Sequence, residues 1–272
     1  MAPVTRGYRA DMTDTKPLAL VTGASSGIGL ELARQFAQHG FDLVVNAEDA
    51  ELEPAAAQLR AEGAEVHAVR ADLRNADSID LLWNRVQGLG RPLAAAALNA
   101  GVGVGGKYID TDWARDLEII EVNVISTAAL FKLVLRDMAA RNEGRVLVTS
   151  SIASTMPGSH QTIYNASKSF VQSMVEAVQD ELKDTDVTIT SLMPGPTDTE
   201  FFTRADMEDT GMGQGPKDSA AAVAEQGFEA LMAGEKKVVS ASLAVKAQGH
   251  LNRVVPDSVK AAGNRVFAQH RD

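Results

Sequence analysis

Tyr164 and Lys168 stand four residues apart in the stretch TIYNASKSF, Thr162–Phe170. On a helix this spacing sets both side chains on one face, a turn apart. A free phenol titrates near pH ~10, too high for useful proton exchange at neutrality, and a fixed ammonium beside it favours the phenolate. Bringing a phenol to pH ~7 takes about 4 kcal/mol of preferential phenolate stabilisation. A neighbouring ammonium in a partly desolvated site can supply much of that, whereas an uncharged hydroxyl cannot do it alone. The pair has the makings of an acid–base device.

A second constellation lies near the start of the chain. The run VTGASSGIG carries Gly23, Gly27 and Gly29 where an apolar strand turns into a helix. Glycine lets the backbone bend tightly there and approach a pyrophosphate with no Cβ in the way. The helix N-terminus adds unpaired N–H groups and the positive end of its dipole, and Ser25 and Ser26 add hydroxyls. The spacing is G-x-x-x-G-x-G rather than the general G-x-G-x-x-G fingerprint. A residue that recognises the adenosine ribose is expected about 20 positions on, and Glu48 lies nineteen after Gly29. A carboxylate accepts from a ribose 2′-hydroxyl and repels a 2′-phosphate. No Arg or Lys occurs between Gly40 and Arg60, so the charge logic favours NAD, with NADP the alternative. Glu48 and Asp49 have a second reading as caps of the following helix.

These groups need elements to hold them. From Leu18 onward short apolar runs alternate with amphipathic stretches. LALVTG, FDLVVN, EVHAVRAD, LAAAALNAG, RVLVTS, VTITSLMPG and KKVVSAS read as strands. Helices are expected over 29–39, 53–62, 76–87, 113–141, 165–182 and 218–232. The pattern predicts right-handed βαβ units: an α/β fold of the Rossmann type, a doubly wound parallel sheet of about seven strands with helices on both faces. Residues 18–242 are expected to form one domain. Residues 1–17 read as a loose arm, and 243–272 as a helical tail packed on the body or on a partner subunit.

With 272 residues, 45% hydrophobic and 23% charged, the chain can bury a sizeable core. A net charge of −10 argues against nucleic acid, which rewards clustered Lys and Arg. No window approaches about 18 uninterrupted apolar residues, so no membrane span is expected. The N-terminus lacks the apolar core of a secretory signal, which makes the cytoplasm the expected location. Cysteine is absent, which removes disulfides and thiol chemistry.

Six markers fall in one order along this pattern. They are TGASSGIG at 22–29, Asp72 in RADLRN, LNAG with Asn99, Ala100 and Gly101, Asn123 in EVNVIS, Ser151 thirteen positions before Tyr164, and Tyr164 with Lys168. MPGPTDT, 193–199, follows them. Together they resemble the short-chain dehydrogenase/reductase family over 18–242. The resemblance implies an NAD(P)-dependent oxidoreductase that interconverts a secondary alcohol and a ketone or aldehyde. It implies Tyr164 as proton donor and acceptor, Ser151 as the group that orients the substrate oxygen, and Lys168 as the residue that lowers the phenol and holds the nicotinamide ribose. Asn123 is implied to position a water that links Lys168 to solvent. The cofactor residues carried over are Gly23, Ser25, Ser26, Gly27, Ile28, Gly29, Glu48, Asp72, Leu73, Asn99, Ala100, Gly101, Tyr164, Lys168, Pro194, Gly195, Thr197 and Thr199. Many tetrameric members end in V-D-G-G, which this chain lacks, so a homodimer through the long helices stands beside a homotetramer. A catalytically silent NAD(P)-binding regulator and a lyase or epimerase using transient oxidation are the competing readings.

On the substrate side, a small-molecule carbonyl or alcohol is expected to meet Ser151, Ile152, Met156, Tyr164, Phe201 and Phe202, with Val102 a further wall residue. The long segment 197–217 reads as a lid over that space. His160 reads as a solvent-facing loop residue. No His, Asp or Glu cluster has metal-ligand spacing, so no metal is expected.

Overall fold

The structure is a computed structural model that describes residues 15–240 and 264–269. The expected arm lies outside these residues except for 15–17, as does most of the expected tail. Seven parallel strands make one sheet: β1 (Leu18–Thr22), β2 (Asp42–Ala47), β3 (Val66–Arg70), β4 (Leu93–Leu98), β5 (Gly144–Thr149), β6 (Val187–Leu192) and β9 (Lys237–Val238). Their order is β3-β2-β1-β4-β5-β6-β9. The chain thus runs outward one way from β1 through β2 to β3, then crosses to β4 and runs outward the other way. That reversal opens a crevice at the C-terminal ends of β1 and β4, where ligands of doubly wound sheets bind.

Strand alternation sends the residues of β1 to two cores. Ala19 and Val21 join Leu32, Phe36, Leu43, Val45, Leu59, Phe228 and Leu231 under α1 (Gly27–Gln38), α2 (Leu52–Ala61) and α9 (Ala220–Ala233). Leu18 and Leu20 join Ile79, Leu82, Leu130, Phe131, Val171 and Val175 under α3 (Ala76–Gln87), α5 (Thr127–Arg141) and α6 (Thr162–Glu181). Strands covered on both faces read as near-continuous apolar runs, which is why they were legible in the sequence.

Three local differences from the expected elements have physical causes. The helix expected over 113–141 is α4 (Trp113–Ile119), a π-helical segment Ile120–Ser126, and α5. Asn123 lies in that wider stretch, and such segments frequently mark functional sites. α9 starts at Ala220 because Ser219 accepts from the Ala222 N–H as its cap, while Asp218–Ser219 pair as β8 with β7 (Thr197–Asp198). The segment 197–217 is not an unstructured loop: it carries β7, α7 (Phe201–Arg204) and α8 (Gly211–Gln214).

Candidate active site

Ser151 ends the run after β5 in extended backbone and caps the 3₁₀ turn Ile152–Thr155 by accepting from the Ala153 N–H. α6 then returns across the crevice and brings Tyr164 to it, and the two hydroxyls are hydrogen-bonded. One turn on, Lys168 is buried to 5% exposure and donates to the Thr149 carbonyl at 2.9 Å. Its Nζ lies 5.9 Å from the centre of the Tyr164 ring. Burial lowers the Lys168 ammonium to about 8. Burial also raises Tyr164, and the bond to Ser151 acts weakly the other way. The net direction for the phenol in this arrangement is thus opposite to the depression expected from Lys168: desolvation opposes both charged forms, and the ammonium is anchored to the backbone of β5.

Asn123 reaches the same place from the π segment. Its Oδ1 accepts from the Val102 N–H at 2.9 Å, while its Nδ2 donates to the Val102 carbonyl at 2.9 Å and to Ser167 Oγ at 3.0 Å. The side chain is 1% exposed and acts as a strap between α6, the π segment and the strand-end loop. A Cβ on Gly101 would sit 3.2 Å from Lys168 Nζ and 3.3 Å from Asn123 Oδ1, so the glycine keeps these two groups close.

The cofactor turn is built for close approach. Gly23 and Gly27 have φ of +66° and +56°, in the region that favours glycine. A Cβ on Gly29 would lie 1.9 Å from the Gly23 carbonyl oxygen, and one on Gly23 2.9 Å from Ala100 Cα. Ser26 is the N-cap of α1 yet makes no side-chain capping bond, which leaves the first N–H groups for a ligand. Asn99 ties the turn to the sheet: its backbone N–H donates to Thr22 Oγ1, and its Oδ1 accepts from Thr149 Oγ1. A Cβ-free cradle under an uncapped helix start fits a dinucleotide pyrophosphate.

At the end of β2 the two readings of the acidic pair separate. Asp49 accepts from the Glu51 N–H just before α2 and from Ser25 Oγ, so it is engaged in the turn into α2. Glu48 faces a cavity of about 350 Å³ lined by Val102, Gly103, Val104, Arg115, Glu118 and Arg204. The charge logic drawn from residues 40–60 was incomplete, because the fold imports cations. Arg74 lies 3.6 Å from Glu48, Arg70 donates to the Glu48 carbonyl, and Arg204 lies 3.6 Å from Asp49. Asp72 is paired with Arg74 at 2.8 Å, whose hydrogen bonds hold its carboxyl below the usual range.

Several expected site residues are placed elsewhere. Leu73 is buried in the core among Leu82 and Leu130, so only its backbone faces outward. Ile28 packs on the opposite core. Val102 belongs to the cavity beside Glu48 rather than to a wall over Tyr164. Met156 lines a cavity of about 420 Å³ with Thr162, Asn165, Ala166 and Ser169, on the face of α6 turned away from Tyr164 and Lys168. Phe202 is 6% exposed and packs with Ala205, Met207 and Ala268. Ile152 is 8% exposed and donates its N–H to the Pro194 carbonyl. His160 is half-buried with φ of +66°, and its carbonyl accepts from the Gly106 N–H.

The remaining candidates do converge. Thr197 Oγ1 donates to the Gly195 carbonyl, Thr199 touches the Gly27 position, and the Phe201 ring rests on Tyr164 with centroids 5.2 Å apart. Gly103 and Phe201 are a contact that spacing could not disclose. Among the described residues no group of three or more His, Cys, Asp or Glu could hold a metal, and no helix is long and apolar enough to cross a membrane.

Residues 17–209 match the family model described as short chain dehydrogenase. The dehydrogenase/reductase SDR family protein 7-like of Anopheles gambiae is 29% identical over 256 residues, covering 88% of this chain and 79% of its own. A short chain dehydrogenase/reductase from Burkholderia phymatum, solved in complex with NAD, superposes with a TM-score of 0.79 at 26% identity, covering 87% of this chain and 92% of that one. A short-chain dehydrogenase from Sphingobium yanoikuyae, solved in complex with NADPH, gives 0.78 at 25% identity, covering 89% and 97%.

Proposed function

The chain belongs to the short chain dehydrogenase family, and on that premise we propose that it interconverts a secondary alcohol and a ketone or aldehyde with an NAD(P) cofactor. The observation that carries this reading is the hydrogen-bonded Tyr164–Ser151 pair beside the buried Lys168, opening onto the glycine cradle of β1 and α1. A carbonyl that receives hydride develops negative charge on oxygen, so the site must offer a proton and hydrogen bonds aimed at that oxygen. Tyr164 donates the proton in reduction and takes it back in oxidation. Ser151, fixed by the Ala153 N–H, orients the oxygen. Lys168 holds positive charge beside the phenol and would hydrogen-bond the nicotinamide ribose. Asn123 straps Val102 to the π segment and would position the water that links Lys168 to solvent.

The cofactor, when bound, supplies or accepts the hydride. Gly23, Gly27 and Gly29 with Ser25 and Ser26 would hold its pyrophosphate. Glu48 would meet the adenosine ribose, Asp72 and the Leu73 backbone the adenine, and Asn99–Gly101 the middle of the molecule. Pro194, Gly195, Thr197 and Thr199 would flank the nicotinamide. Glu48 supports NAD as the preferred form, and Arg74 and Arg204 keep NADP as the alternative. The segment 197–217 acts as the lid. Exposed Trp113, Leu117, Ile125 and Phe170 on the long helices support a homodimer over a lone chain.

The test is a turnover screen of diverse carbonyls and alcohols with NADH, NADPH and their oxidised forms. Net oxidation or reduction of nucleotide is expected. Nucleotide binding without turnover would leave a silent regulator instead, and substrate conversion without net redox change an epimerase. A clear preference for NADPH would overturn the role given to Glu48.

A further inference from the structure

Two glycines of the loop after β4 are notches for side chains of the lid. A Cβ on Gly103 would lie 2.5 Å from Phe201 Cζ and 2.9 Å from its Cε2, with Tyr164 Cδ2 at 3.4 Å. A Cβ on Gly105 would lie 2.4 Å from Met207 Cγ. Gly105 also donates its N–H to the Ala205 carbonyl at 2.8 Å, and Gln161 Nε2 contacts Met207 Sδ at 3.2 Å. The lid is thus pinned to this loop by two knobs in two holes. Met207 is wholly buried, whereas Phe201 remains half-buried at the edge of Tyr164.

We propose that Phe201, seated in the notch of Gly103 and tilted against the Tyr164 ring, sets the size limit for substrates that reach the Tyr164 hydroxyl. The inference rests on Tyr164 as the proton donor. A carbonyl oxygen bonded to that hydroxyl brings its carbon, and both substituents, within a few ångströms of the phenol. One substituent then lies toward the Gly103 edge of the ring, which Phe201 covers. That side admits a small group such as methyl, while the other substituent points away from the Phe201 ring. The substrate class is a ketone with one small and one large substituent, or an aldehyde. Interleaving with Gly103 holds the limit in place: Phe201 cannot sit where it does if residue 103 bears a side chain.

The test compares an aryl methyl ketone with a diaryl ketone in the wild type, Phe201→Ala, Phe201→Leu, Gly103→Ala and the Gly103→Ala/Phe201→Ala double variant. Phe201→Ala is expected to raise kcat/KM for the diaryl ketone relative to the aryl methyl ketone about tenfold or more, a scale typical of apolar pockets, with Phe201→Leu intermediate. Nucleotide Kd, read by NAD(P)H fluorescence, stays within about twofold. Gly103→Ala should alter the ratio only while Phe201 is present, so the double variant behaves as Phe201→Ala alone. An unchanged ratio in Phe201→Ala and Phe201→Leu overturns the proposal. A readout without turnover separates it from the catalytic reading: the phenolate absorbance titration of Tyr164, taken as the difference between each protein and its Tyr164→Phe form. Removing the covering ring admits water and should move that titration downward, even if no ketone is reduced by any protein; no movement overturns the size limit.

Discussion

Lys168 Nζ stands 5.9 Å from the centre of the Tyr164 ring while donating to the Thr149 carbonyl at 2.9 Å, so the ammonium is held beside the phenol by the backbone of β5. Its position is set by the sheet rather than by the tyrosine. The pair can therefore keep its geometry when either partner changes protonation, and the positive charge acts on the phenolate through space.

Removing the phenol hydroxyl isolates its chemical role. Tyr164→Phe keeps the ring that packs against Phe201 and loses only the hydroxyl bonded to Ser151. Turnover should fall ~10²–10⁴-fold, the scale of acid–base catalysis, with nucleotide Kd changed only a few-fold. Steady-state rates and a fluorescence titration check this, and full turnover in the variant would remove Tyr164 from the mechanism.

Burying Lys168 costs stability, and the sign of its pH dependence follows. Its folded value is about 8 against 10.5 for the free side chain, so the unfolded chain binds more protons between those values. The wild type carries the full cost below about 8 and sheds it as pH rises toward 10.5. The gap corresponds to a cost on the order of 3 kcal/mol, partly offset by the bond to Thr149. Lys168→Met should abolish turnover and be the more stable protein at pH 7, with its advantage shrinking by pH 10. Denaturant melts at both values decide it; a difference that does not change with pH would contradict the assignment.

The cofactor turn has no room for a methyl group at residue 29. With the Gly23 carbonyl oxygen 1.9 Å from the added Cβ, Gly29→Ala must move backbone at the start of α1. Affinity for nucleotide should drop more than about tenfold because the N–H groups that would face the pyrophosphate shift with it. NADH fluorescence titration of the folded variant, verified by circular dichroism, reads this directly. Unaltered affinity would argue that the pyrophosphate binds elsewhere.

Asn123 is expected to matter first for stability. Asn123→Ala strands the Val102 N–H and carbonyl, at about 1–3 kcal/mol for each buried group left unpaired. Asn123→Asp still accepts from the Val102 N–H but cannot donate to its carbonyl or to Ser167. Melting temperature should fall in both variants, with Asp carrying the added cost of a buried carboxylate that faces the Val102 carbonyl. Equal melting temperatures in all three would show that the strap carries no load.

Much of this was legible in the chain because it depends on short spacings. Helical period alone puts Tyr164 and Lys168 on one face of α6 and turns Met156's neighbours Thr162 and Asn165 away from them. Strand alternation and near-continuous apolar runs marked the seven strands, and the strand-turn-helix context made the glycines of residues 23–29 readable as a phosphate cradle. The edges were less legible. Among the described residues β9 is Lys237–Val238, paired with Ser191 and Leu192 at the end of β6.

What the sequence by itself determined, then, is the α/β order, the glycine turn of residues 23–29 and the chemical types at residues 123, 151, 164 and 168. What only the tertiary structure decided is which of the neighbouring residues share that space. Phe201 and Phe202 are adjacent, yet one rests on Tyr164 and the other closes a small core with Ala268. Arg74 and Arg204 reach Glu48 and Asp49 from other elements, across 26 and 155 positions of chain. Leu73 turns inward beside an outward Asp72. The physical reason is that local spacing fixes directions within one element, whereas contacts between elements are set by how the sheet and its crossovers close, and that closure depends on the packing of the whole chain.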